Sequence, residues 1–217
     1  MRKACVNLNQ DQKTIFSKER YFLMLITKYS FNLLLTMTLF IGANESIAKI
    51  TFERERIDVF ISGDTMEVSG IYYFTNNDSI TGHMSIYYPF PTDSIHEYPH
   101  FIRLIAMSAN QDTSYTKLSE GIGFNLTVRP GKTDSIKIIY RQRVYYCQGR
   151  YILTTTKYWN KPFAKAEYSI TFPSHLTLNY WSFEFDSIFQ NKGKFTYYAH
   201  RKNFMPKEDM IMKWQCE

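Results

Sequence analysis

After residue 48, no window of the 217-residue chain places apolar residues at helical spacing over a helix's length, which argues against a helical or alternating α/β fold. Three common catalytic or nucleotide-binding signatures are missing too: there is no Gly-x-Ser-x-Gly elbow, no P-loop and no Gly-x-Gly-x-x-Gly. Gly121-Ile122-Gly123 leads into a predicted strand rather than a helix, so it is not a phosphate cradle. Repeats, low-complexity tracts and linkers are absent after residue 48, and so are runs of like charge. The formal charge of +6 is spread thinly. Residues 1–48 hold six Lys or Arg against three acids, so the remainder keeps only +3. Nothing resembles a nucleic-acid arm or a polybasic lipid patch, and no nucleic-acid partner is expected. Cysteines number three.

What is present begins with a leader. Residues 24–48 open with a cation, Lys28, continue through an uncharged apolar run over 31–43, and end in the small residues Ser46-Ile47-Ala48. That is the three-part layout of a cleaved, helical signal peptide. The alternative is an uncleaved membrane anchor, but the uninterrupted apolar part is short for a span, which needs about 20 residues. Membrane association is expected only through such a retained leader. Residues 1–23 form a polar, basic extension, and Met24 is the better start for the leader. Residues 49–217 then form one domain of 169 residues, expected to be secreted, periplasmic or otherwise in the cell envelope. Export fits the cysteines: Cys147 and Cys216 remain as an even pair for an oxidising compartment. A Cys147–Cys216 disulfide is expected to tie the C-terminal end to the body of the fold, with two free buried thiols as the alternative.

From residue 50 onward the sequence alternates apolar and polar residues in short runs separated by turn signals. Ile57, Val59 and Ile61 share one face, as do Met66, Val68, Tyr72 and Phe74 in the next run, and Ile80, Met84, Ile86 and Tyr88 in the one after. The cleanest run is Ile122, Phe124, Leu126 and Val128. Ile136, Ile138, Tyr140 and Val144 belong to a long strand that Cys147 closes. The β-branched stretch 151–156 reads as another strand, and Ala166, Tyr168, Ile170 and Phe172 as one more. Ten to twelve such strands predict an all-β, antiparallel two-sheet sandwich, with a closed barrel as the alternative.

One motif has catalytic letters. His96-Glu97-Tyr98-Pro99-His100 satisfies H-E-x-x-H. A zinc-dependent hydrolase needs those histidines four apart on one helical face, with the glutamate activating water. Pro99 stands inside the would-be turn and opposes a helix there. His96 and His100 are therefore read as decoys: no metal site, no catalytic residues and no cofactor are expected. The neighbouring acids Glu53 and Glu55 read as a solvated edge.

Tyrosine and phenylalanine number 17 each, often in adjacent pairs. Adjacent residues on a strand face opposite ways, so one ring of a pair can face outward. The most exposed-looking candidate is the turn Lys157-Tyr158-Trp159-Asn160-Lys161. Tyr158 and Trp159, flanked by Lys157 and Lys161, could stack on a glycan or anchor a protein. Alternatively, Trp159 plugs one end of the sandwich.

The stretches GIYYFTN (70–76), YPFP (88–91), YILTTTKYW (151–159) with Pro162 and Ala166, and PKEDM (206–210) together resemble a family of uncharacterised secreted bacterial proteins known only as a domain of unknown function. The resemblance spans residues 66–214. It implies an exported β-sandwich and carries no catalytic residues. With the leader, it points to a non-catalytic module that binds or scaffolds.

Overall fold

The computed structural model describes residues 49–215. Fourteen strands follow in order: β1 (Ile50–Ser62), β2 (Thr65–Asn76), β3 (Gly82–Pro89), β4 (Phe101–Ala106), β5 (Gln111–Asp112), β6 (Thr116–Leu118), β7 (Gly121–Val128), β8 (Thr133–Arg143), β9 (Gln148–Tyr151), β10 (Phe163–Pro173), β11 (Leu178–Trp181), β12 (Ser187–Asn191), β13 (Lys194–Phe204) and β14 (Met210–Trp214). A single 3-10 helix, Thr154–Trp159, interrupts them.

The strands form an eight-stranded sheet ordered β12-β13-β10-β1-β2-β8-β4-β5, and two three-stranded sheets, β11-β14-β9 and β3-β7-β6. None closes into a barrel, and the architecture is an all-β sandwich. Its second layer is divided between the two small sheets. The expected purely antiparallel pairing fails at one place: β1 and β10 run parallel at the centre of the large sheet, with Ile57 opposite Tyr168 and Val59 opposite Ile170. These strands lie far apart in sequence, and no local turn announces their pairing.

One face of the large sheet is apolar because period-two alternation lines up across strands. Val59, Val68 and Tyr140 stand in one row, and Tyr72 and Ile136 are partners in another. All are buried, as are Ile122, Phe124, Leu126 and Val128 of β7 above them. Ile80 is a correction: it precedes β3 and is exposed. Another concerns Cys147. β8 ends at Arg143, and Cys147 sits in the turn beyond, with φ of +49°. The N–H of Trp214 donates to the Cys147 carbonyl at 3.0 Å, so the last strand runs beside it. Cys216, like the leader and residues 1–23, lies outside the described residues.

Candidate functional site

A small cavity of about 60 Å³ opens above the inner face of β1 and β2, where the two small sheets and the 3-10 helix meet. Its position follows from a change of parity in β1. A bulge between Phe52 and Arg54 shifts the register with β2. A bulge inserts a residue and turns the following side chains over. Phe52 and Glu55, three apart, therefore both face inward, where regular alternation would separate them.

Glu55 is only 4% exposed. It lies directly opposite Tyr72 in the β1–β2 ladder. Its Oε1 accepts the Tyr168 hydroxyl at 2.7 Å. Burial raises its pKa from the ordinary 4.5 to about 8, with the Tyr168 bond opposing the shift. The expectation that Glu53 and Glu55 form a solvated edge is thus wrong for Glu55. The signal was legible: Glu55 shares the odd positions of Ile57, Val59 and Ile61, so a charged residue sits on an apolar face.

Beside it, three phenols meet. Tyr72 Oη is 2.7 Å from Tyr88 Oη and 2.8 Å from Tyr151 Oη. Tyr88 Oη and Tyr151 Oη are 3.5 Å apart. β2, β3 and β9 each supply one, so the cluster joins all three sheets. Burial pushes all three pKa values well above the ordinary tyrosine value. Gly70, two residues before Tyr72 on the same face, leaves the space in which the Tyr72 ring lies.

The 3-10 helix forms the roof. The stretch 151–156 was expected to be a strand; only Tyr151 belongs to one. The reason is Asp209. Its Oδ1 accepts the Leu153 N–H at 3.0 Å, the Thr154 N–H at 3.1 Å and the Thr154 hydroxyl at 2.9 Å. Such capping satisfies the first free donors of a helix and overrides the strand preference of three threonines. Asn160, in the left-handed region at φ +51°, ends the turn.

The four predicted binding residues separate here. Trp159 is half-buried, lines the cavity, and packs on Phe52 and Phe74 with ring centroids 5.5 and 5.6 Å away. Tyr158 faces outward and is 73% exposed. The Lys157 ammonium lies 5.3 Å from the Tyr158 ring centroid. Lys161 reaches Glu53 at 3.9 Å. Only Trp159 joins the cavity.

The His96-Glu97-x-x-His100 segment is extended, not helical. His96 is buried and bridges to Val144, and its Nδ1 lies 2.8 Å from Asp93 Oδ1. Burial lowers the His96 pKa, with Asp93 opposing. Asp93 also binds Arg150 at 3.1 Å. His100 is exposed, and its N–H donates to the Arg141 carbonyl at 3.0 Å. The Glu97 carboxylate accepts the Tyr145 hydroxyl. Among the described residues, no three His, Cys, Asp or Glu side chains converge as metal ligands.

No protein-family model matches the chain, and no curated protein does. Solved structures resemble it in fold. A Legionella pneumophila protein provisionally described as nutrient-binding superposes with a TM-score of 0.57 at 12% identity, over 76% of this chain and 66% of that one. An M1 zinc metallopeptidase from Deinococcus radiodurans, solved with a Tyr-Ser-Ala substrate, gives 0.50 at 10% identity, over 77% of this chain and 44% of that one. This chain thus spans just under two thirds of the first protein's length and less than half of the second's. At such identities the likeness is one of fold.

Proposed function

We propose that this chain is an exported, non-catalytic binding module of the bacterial envelope or extracellular space, and that it takes a small ligand in the cavity beneath Trp159. One observation carries the reading: a buried carboxyl and three clustered phenols border a space that packing has left open. Protein interiors are close-packed, and voids lined by polar groups usually hold water or a guest. Aromatic walls with a few convergent polar groups are the usual makeup of ligand sites. Exposed Tyr158, with Lys157 beside it, is a second contact surface for a protein or glycan. Export rests on the leader, and membership of the secreted family rests on the resemblance described above. The zinc-hydrolase alternative has no specific observation in its favour.

The test is a thermal-shift screen of small metabolites on the mature chain and on Thr155→Trp, which fills the cavity from its rim. Ligands that raise the melting temperature of the wild type and not of a folded Thr155→Trp support the reading. Equal shifts in both proteins contradict it. N-terminal sequencing of the native exported protein should begin at Lys49; a mature chain starting upstream of Met24 contradicts export.

A further inference from the structure

The cavity's donors and acceptors are unbalanced. Each phenol owns one proton to donate, while its oxygen can also accept. The two short contacts, both to Tyr72, take up two of the three phenol protons, and every oxygen keeps spare accepting capacity. Acceptors in the cluster therefore outnumber free donors. Glu55 adds a carboxyl, and no lysine or arginine lines the cavity. The remaining walls include Phe52, Phe74 and Trp159. Aromatic faces carry negative charge density and attract cations. The lining therefore asks for a guest that is positive, rich in N–H donors and small.

We propose that the cavity recognises a primary ammonium group, with Glu55 as its counter-ion, the Tyr72, Tyr88 and Tyr151 oxygens as acceptors, and Phe52, Phe74 and Trp159 as the aromatic wall. This rests on the ligand-cavity reading above. An ammonium group has three N–H donors, enough for the Glu55 carboxylate and two of the phenol oxygens. A quaternary ammonium has none and leaves those acceptors unmet.

The proton balance follows from burial. In the empty cavity Glu55 is mostly protonated at neutral pH. Entry of the ammonium ion converts the carboxyl to a carboxylate and releases one proton to solvent. Binding therefore tightens as pH rises toward 8, by roughly tenfold per pH unit.

The experiment titrates the mature chain with methylammonium chloride at pH 6 and pH 8, at constant ionic strength. Binding is followed by NMR at the Trp159 indole N–H and the Glu55 carboxyl carbon. Methanol serves as the neutral probe of similar size. A capped lysine peptide shows whether the group is also accepted at the end of a polypeptide side chain. The expected result is methylammonium binding at least tenfold tighter at pH 8 than at pH 6, a Glu55 signal moving to its ionised position, and loss of binding in Glu55→Gln, which keeps the side-chain shape. Lysine-peptide binding with the same pH dependence supports the proposal and identifies a polypeptide source; methylammonium binding alone identifies a free amine. Methanol binding as tightly as methylammonium, or Glu55→Gln retaining affinity, overturns the ammonium inference while leaving the cavity reading intact. If neither these probes nor any screened small molecule moves the Trp159 signal, the cavity reading fails as well.

Discussion

The ring of Tyr72 occupies the space that a β-carbon on Gly70 would need. Both residues face the interior from β2, and the missing side chain of one sets the position of the other. Tyr72 is also the shared member of the phenol cluster. Gly70→Ala should displace its ring, break both short hydroxyl contacts and destabilise the fold by roughly 1–3 kcal/mol, the cost of overpacking a filled core. Chemical denaturation measures the loss. A neutral effect would mean that Tyr72 has another resting place.

Glu55 predicts a pH dependence. Its folded pKa, about 8, lies above the ordinary 4.5. The folded state therefore holds a proton that the unfolded chain gives up, and stability is full below the unfolded pKa and declines as pH rises through the folded one. Between pH 5 and pH 8 this single group should cost roughly 3–4 kcal/mol at about 1.4 kcal/mol per pH unit. Glu55→Gln removes the titration. Denaturation curves at the two pH values should differ more for the wild type than for the variant. Parallel pH profiles would show that Glu55 is ionised in the fold.

Trp159→Ala should cost roughly 2–4 kcal/mol, somewhat below the figure for a fully buried ring. Trp159 is only half-buried, but it meets both Phe52 and Phe74. Tyr158→Ala should leave the melting temperature nearly unchanged, because that ring faces solvent. A large loss in Tyr158→Ala and none in Trp159→Ala would reverse the assignment of roof and surface.

The strands were readable where alternation was regular. β7 and β10 follow their apolar residues position by position, since burial on one face imposes period two. The same rule located most of β1, β2 and β8. It missed the bulge after Phe52, because an inserted residue leaves no mark until the partner strand is known. Glu55 was hidden for a related reason: neighbouring acids are usually solvated, yet Glu55 lies inside β1 at the parity of Ile57 and Val59 and faces inward. The 3-10 helix was hidden because its cap, Asp209, lies more than fifty residues away. The parallel β1–β10 pair and the division of the second layer depend on contacts between distant segments. Trp159 was singled out for its composition. That it roofs a cavity, while Tyr158 does not, depends on which way a short helix turns.

The Cys147–Cys216 disulfide is a prediction that the Trp214–Cys147 main-chain bond favours, since it sets the C-terminal strand beside Cys147. Non-reducing peptide mapping of natively exported protein should recover the two cysteines in one linked peptide. Reduction should lower stability by about 2–4 kcal/mol and leave the β-sheet circular dichroism in place. Two freely alkylated thiols would rule the bridge out.

The central claim is that ligand enters between the sheets at Glu55 and the phenol cluster. The most direct measurement is NMR mapping of the mature chain with the strongest small-molecule hit, comparing every assigned signal with and without ligand. The account predicts that the largest shifts fall on Trp159, Tyr87 and Tyr151, three residues that line the cavity on separate elements. Shifts confined to Tyr158 and Lys157, or to the outer face of the large sheet, with the Trp159 and Tyr151 signals unmoved, would contradict it.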